Sequence, residues 1–355
     1  MRYGVLAVDY DGTPYEDGRL TDDVRQALDA TRAADVVVVL VTGRRLSDLR
    51  LVAGDLTFAD AVVGENGAVI TFPSSGRSLR LHGPPPPAFG DELRARGVSV
   101  SEGECVVETT ADAAATVLEV VRAQELPLVL AFNRSRLMIL PQAVSKATGL
   151  REALAALRLS SHNTLAIGDA ENDHALLEAV EVGVAVRWGS PALARVADLV
   201  IEGRGPADVA AFLRARAAER NLPATNGKRR VLLGHDADRP LALAVRDRNV
   251  LVSGDPRSGK SWVAGLLSEQ LMLARYAVAV VDPEGDYRTL EALPGVRVVG
   301  EDHPPGPGEL ERAFRFPDGG LIVDLSHISY TQKVDCMRAI LPALAVLGGH
   351  DLAAF

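Results

Sequence analysis

The stretch DVVVVLVTG (35–43) constrains this chain more than any other, because six apolar residues in a row, five of them valine, end in a threonine and a glycine. β-Branched side chains lose rotamer freedom in a helix and pack well on a pleated surface. A run with no polar alternation has no face to offer to water. It therefore predicts a strand buried on both sides, as in a parallel sheet covered by helices. Comparable runs occur at VLAVDY (5–10), DAVVGENGAVI (60–70), NTLAIGD (163–169), VGVAV (182–186) and ADLVI (197–201). The first two strands flank TDDVRQALDATRAA (21–34), which has Thr21 as N-cap, acids in its first turn and apolar residues at helical spacing. Strand, helix and strand in this rhythm predict an α/β fold with right-handed crossovers.

The rhythm is interrupted once and restarted once. Ser74, Ser75 and the run Pro84–Pro87 suit neither a central strand nor a helix interior. From about 76 to 141 the pattern is mixed, predicting a small α+β insertion within a core of about 1–75 and 142–215. Residues 216–228, RAAERNLPATNGK, read as a polar linker. A second series then begins, with RVLLG, NVLVSG (249–254), a helix from about 260, AVAVVD (277–282), VRVVG and GGLIVD (319–324). A length of 355 residues fits two domains, 1–215 and 229–355.

Composition narrows the function classes. With 47 acidic and 38 basic residues the net charge is −9, which argues against nucleic-acid binding driven by overall charge. Two cysteines, Cys105 and Cys336, exclude a disulfide framework and fit a reducing cytoplasm. No apolar stretch is long enough for a membrane span, and the apolar run at the N-terminus is too short for a signal peptide. Only four lysines are present, so two of them inside motifs carry information.

The first motif is Asp9-Tyr10-Asp11-Gly12-Thr13 at the end of the first strand. Ligands of open α/β sheets bind at the carboxyl ends of strands. Two carboxylates at i and i+2 can divide labour there, one as nucleophile and metal ligand, the other as general acid and base. The next buried strand ends in Thr42, a hydroxyl donor, followed by Gly43 and Arg44. Lys146 stands at the start of a helix, a suitable place to meet an anion. Asp169, Asn172 and Asp173 follow another strand, and a carboxylate cluster without His or Cys suits a hard ion such as Mg²⁺.

These four elements, DYDGT, VTGR, Lys146 and GDAENDHALL, resemble the four motifs of the haloacid dehalogenase (HAD) superfamily of phosphohydrolases over residues 1 to about 215. GENGA (64–68) and the GVAV…ADLVI tail narrow the resemblance to the Cof-type and sugar-phosphate phosphatases. A cap between Thr42 and Lys146 is of the C2 type. The resemblance implies a Rossmann-like core with a small C2 cap. It also implies an aspartyl-phosphate formed on Asp9 and proton transfer by Asp11. Thr42 and Lys146 would hold the phosphoryl oxygens, with Gly43 beside them. Mg²⁺ would sit on Asp9, Asp169 and the Asp11 carbonyl, with Asp173 and Asn172 supporting the metal and the lysine. Pro14 replaces the family's usual apolar residue.

The second motif, Gly254-Asp255-Pro256-Arg257-Ser258-Gly259-Lys260-Ser261, fits GxxxxGK[ST] between an expected strand and helix, the context of a phosphate-binding P-loop. Together with VVDPEGDY (280–287), ending a strand at Asp282, it resembles the HerA/FtsK-like P-loop ATPases over about 229–345. That resemblance implies ATP bound by Gly254, Ser258, Gly259, Lys260, Ser261 and Asp282. The family's Asp-Glu pair is not matched, since Asp324 is followed by Leu325. A truncated, nucleotide-binding domain without a complete hydrolytic set is expected.

The combined expectation is a cytoplasmic, Mg²⁺-dependent phosphatase of small phosphorylated metabolites, such as sugar phosphates, fused to an ATP-binding domain. Self-association is left open. The alternatives are an ATP-gated regulatory module whose HAD fold senses a phosphorylated ligand, and a phosphomutase. DELRARG and FNRSR in the cap offer basic residues to a second charged group, although a solvated surface is the simpler expectation for them.

Overall fold

The computed structural model describes residues 3–13, 15–16, 19–219, 221–223, 230–245, 250–301, 303–313, 318–348 and 353–354. They divide into two compact units, Tyr3–Leu157 with Asn163–Thr225, and a second dominated by Asn226–Phe355.

The first unit is built on an eight-stranded sheet. Its order is Leu199–Ile201, Val182–Val186, Thr164–Gly168, Val5–Asp9, Val37–Val41, Ala61–Gly64, Val69–Phe72 and Arg77–Arg80. The first six are parallel to their neighbours and the last two pairings are antiparallel. All five residues of Val5–Asp9, Thr164–Gly168 and Val182–Val186 are buried, as uninterrupted apolar runs require. The helix Asp22–Ala33 starts where expected, with the Thr21 hydroxyl accepting from the Val24 amide.

The stretch 60–70 differs from the single strand expected. It forms two antiparallel strands joined by Glu65–Gly67, where Glu65 and Asn66 take left-handed φ values of 50° and 56° and Gly67 one of 109°. The apolar run conceals this tight turn because its polar residues are only three. The strand Arg77–Arg80 also belongs to the core sheet, so the insertion begins later than about 76. The insertion proper packs the helices Pro87–Ala95 and Ala114–Ala123 on a four-stranded antiparallel sheet around Phe89, Leu93, Val107, Val117, Val120, Leu137 and Ile139. The helix Pro206–Glu219 extends into the expected linker, most of whose remainder lies outside the described residues.

The second unit has an antiparallel hairpin, Arg230–Asp236 with Arg239–Ala244. It also has a parallel sheet in the order Val296–Val299, Gly320–Asp324, Val278–Asp282 and Ala353–Ala354. Apolar side chains pack on both faces of this sheet, Ile322 with Val280 and Leu271 on one, Leu321 and Val323 with Leu310 and Ile340 on the other. The strand expected at 249–254 is not formed at 250–254, and Leu251 is 90% exposed. A strand needs a hydrogen-bonding neighbour, and at the Val278–Asp282 edge Val278 and Ala279 pair with Ala353 and Ala354. No helix among the described residues is long and apolar enough to cross a membrane.

Candidate active site

The parallel strands deliver their last residues to one edge of the sheet. Asp9 ends Val5–Asp9, Thr42 follows Val37–Val41, and Asp169 follows Thr164–Gly168. Lys146 begins the helix Lys146–Leu157. That helix comes close because Gly67 carries no side chain: a Cβ there would lie 1.9 Å from the Ser145 carbonyl oxygen.

Lys146 is fully buried, and its Nζ donates to Asp9 Oδ1 and Asp173 Oδ1, each at 2.7 Å. Asp9, Asp169 and Asp173 offer carboxylate oxygens that lie within 4.8 Å of one another. Asp173 is fully engaged, because its second oxygen accepts the backbone amides of Asp169 and Ala170. Asp173 thus braces the lysine and the turn while its carboxylate stays within the same cluster. The Asp11 side chain stands outside the cluster. Arg44 grips it with Nε at 2.9 Å from both oxygens and Nη2 at 2.6 Å.

Electrostatics follow from this crowding. Burial and the Asp173 charge push the Asp9 carboxyl well above the usual carboxylate range, against the pull of Lys146. Burial, then Asp173, raises Asp169 to about 6. Burial disfavours the Lys146 charge, but Asp173 and Asp9 more than offset it and hold the ammonium protonated. Three buried carboxylates around one ammonium leave room for further positive charge. Asp169 Oδ1 is buried with no hydrogen-bond partner. Hard oxygen donors with an unpartnered lone pair fit a divalent cation such as Mg²⁺.

The other expected residues fall as follows. Thr42 is buried, and its hydroxyl accepts the Arg44 amide at 3.1 Å. Gly43 lies under the cap, where an added Cβ would sit 3.1 Å from Met138 Sδ. Asn172 Nδ2 donates to Asn66 Oδ1, tying the motif to the Glu65–Gly67 turn. Gly12, with φ 76°, passes so close to Asp169 that a Cβ would lie 2.1 Å from Oδ2.

Three contributors went unassigned in the sequence. Trp188 Nε1 donates to the Gly12 carbonyl at 2.8 Å and pins the turn after Asp11. The buried Glu65 carboxylate accepts the amides of Glu104, Cys105 and Val106, fastening the cap's return to the core. Arg134, at the cap hairpin tip, reaches Asp169 Oδ2 with Nη2 at 2.5 Å. Arginine in FNRSR was visible, but its reach depends on how the cap folds over the core.

In the second unit Gly259 is left-handed, Lys260 opens the helix Lys260–Leu273, and its Nζ donates to the Asp255 carbonyl at 2.8 Å. An added Cβ at Gly254 would meet the Ser258 hydroxyl at 2.6 Å, so these two lie across the loop from each other. Ser261 lines a cavity of about 350 Å³ with Trp262, Glu269, Asp286 and Tyr287. Asp282, expected among the nucleotide-binding residues, ends the strand Val278–Asp282. Its buried carboxylate accepts four backbone amides, from Glu284, Gly285, Asp286 and Tyr287, and organises that turn.

The profile of the haloacid dehalogenase-like hydrolases matches residues 6–80 and 106–212, skipping the stretch that enters the cap. The chain is similar to a phosphoglycolate phosphatase of Archaeoglobus fulgidus, 28% identical over 232 residues, covering 59% of this chain and 96% of that protein. It is also 28% identical over 204 residues to a phosphoglycolate phosphatase of Methanothermobacter thermautotrophicus, covering 55% of this chain and 90% of that one. In fold it is similar to a haloacid dehalogenase-like hydrolase from Bacteroides thetaiotaomicron, with a TM-score of 0.52 at 17% identity, covering 60% of this chain and 99% of that one. With the profile matching just over half of its residues, this chain belongs to the haloacid dehalogenase-like hydrolases and is an enzyme of that family.

Proposed function

We propose that the first unit is a phosphatase that hydrolyses a phosphate monoester of a small metabolite through an aspartyl-phosphate on Asp9. The observation that carries this reading is the buried Lys146 ammonium shared by Asp9 and Asp173, with Asp169 in the same cluster. The phosphoglycolate phosphatases among its relatives support the substrate class. Asp9 attacks phosphorus, its orientation fixed by the lysine. Lys146 and the Thr42 hydroxyl meet the phosphoryl oxygens as charge builds on them. Asp11 turns off Arg44, gives a proton to the leaving oxygen, and then takes one from the water that opens the aspartyl-phosphate. Mg²⁺ held by Asp9, Asp169 and the Asp11 carbonyl would supply further charge neutralisation. Asp173 and Asn172 keep the lysine and the surrounding turns in place.

Phosphate release from a panel of monoesters, measured with Mg²⁺ and with and without ATP, tests the reading. Release by the wild type and none by Asp9→Asn is expected. Inactivity across the panel overturns it, and phosphate moved to a second substrate hydroxyl instead of water indicates a mutase.

We further propose that the second unit binds ATP at the 254–261 loop. The Lys260 ammonium, which folds back onto the Asp255 carbonyl of the loop at the start of the helix Lys260–Leu273, supports this. Calorimetric ATP binding by the full chain, lost in Lys260→Ala, is the expected result. Equal binding by both overturns it.

A further inference from the structure

One arginine of the cap reaches the catalytic cluster without a role in the proposed chemistry. Arg134 opens the two-residue turn between the cap strands Leu128–Asn133 and Arg136–Pro141 and adopts a left-handed φ of 55°. Its Nη2 lies 2.5 Å from Asp169 Oδ2, and its backbone amide is 3.5 Å from Glu171 Oε2. The side chain nevertheless keeps 65% of its surface exposed, while that of Asp169 is buried.

The neighbouring cations have other acids. Lys146 serves Asp9 and Asp173, Arg44 grips Asp11 and lies over the Tyr10 ring, and Arg136 pairs with Glu108. Arg134 is paired with Asp169, which the phosphatase reading, like Asp9, assigns to a divalent cation, and unlike the buried Lys146 on Asp9 it is largely exposed. A guanidinium and a dication on one carboxylate repel each other, so loading the site releases Arg134. The released group stands at the mouth of the site on a short-turned hairpin, within one side-chain length of Asp169. Its planar donors match a carboxylate or phosphate in a bidentate pair.

We propose that Arg134 recognises a second anionic group on the leaving alcohol, so that the site prefers phosphate monoesters carrying a nearby carboxylate or second phosphate. This inference rests on the phosphatase reading and adds a substrate class to it. Among FNRSR, the residue that acts is then the one at the turn, whose neighbour Arg136 is already neutralised on the sheet.

The test compares 2-phosphoglycolate, propane-1,3-diol bisphosphate and neutral 2-hydroxyethyl phosphate as substrates of the full-length protein with Mg²⁺. A wild-type kcat/KM at least about tenfold higher for one of the anionic esters than for the neutral one is expected. The ester that gains says whether carboxylate or phosphate is the partner. Arg134→Ala should bring that ratio to near one, and Arg134→Lys should keep part of it. A readout free of turnover is calorimetric binding of the preferred ester to Asp9→Asn, which Arg134→Ala should weaken roughly 10- to 100-fold. Equal wild-type rates on all three esters, or a ratio unchanged by Arg134→Ala, overturn the inference and leave the phosphatase reading standing. No hydrolysis of any ester overturns both.

Discussion

Burying the Asp169 carboxyl beside Asp173 costs stability, and replacing it by asparagine exposes that cost. Burial and Asp173 raise its carboxyl from the ordinary 3.8 to about 6. The native state therefore holds this proton more tightly than the unfolded chain does. Between about pH 4 and pH 6 the native state carries more protons, so stability falls as pH rises through that window and the full cost is present above it. The difference of about 2 units, at about 1.4 kcal/mol each, is about 3 kcal/mol. Asp169→Asn also loses the pair with the largely exposed Arg134, which offsets at most about 1 kcal/mol. A net gain of about 2 kcal/mol is expected at pH 8 without divalent cations, and less than about 1 kcal/mol at pH 5. For a unit of this size that is a rise of roughly 4–8 °C in Tm. Urea unfolding in EDTA, followed by far-UV circular dichroism at both pH values, measures it. A less stable mutant at pH 8, or an equal gain at both pH values, would refute the electrostatic argument.

Three further outcomes follow from the same site. The apparent Mg²⁺ affinity, measured by calorimetry, should rise with pH up to about 6 and level off above about 7, because Asp169 must lose its proton to bind the cation. Lys146→Met should abolish phosphate release and destabilise the protein by about 3–5 kcal/mol in urea at neutral pH, since it strands Asp9 and Asp173, and adding Asp173→Asn should recover part of that stability. Glu65→Ala leaves three cap amides without an acceptor and should speed hydrogen exchange at residues 104–106 by at least about tenfold, with the strand Val5–Asp9 unaffected.

What was legible in the sequence was whatever depends on local pattern. The buried runs at 5–9, 37–41 and 164–168 declare parallel strands, and the acids and threonine at their ends mark one edge of the sheet, where the helix opened by Lys146 meets it. The division of labour within the cluster was not legible. Asp173 and Asp11 have the same side chain as Asp9, yet one is consumed by Lys146 and two amides and the other by Arg44. The lysine and the arginine are 27 and 33 residues distant in sequence and are chosen by packing. The Glu65–Gly67 turn was hidden because two non-glycine residues adopt left-handed backbone there, a cost of the order of 1–3 kcal/mol each that only the surrounding structure can sustain. Arg134 and Trp188 reach the site from the cap and from the loop after Val182–Val186, which no periodicity announces. In the second unit the apolar run before the glycine-rich loop promised a strand, but pairing within the sheet went elsewhere.

The central claim is that Asp9 becomes phosphorylated and is then hydrolysed. Rapid quenching of the full-length protein with Mg²⁺ and a radiolabelled phosphate monoester that it turns over tests this most directly. The account predicts an acid-stable, hydroxylamine-labile label on the peptide containing Asp9, absent in Asp9→Asn, which should also lose at least about a thousandfold in phosphate release. Turnover that persists in Asp9→Asn, or a label carried by another residue, would contradict it.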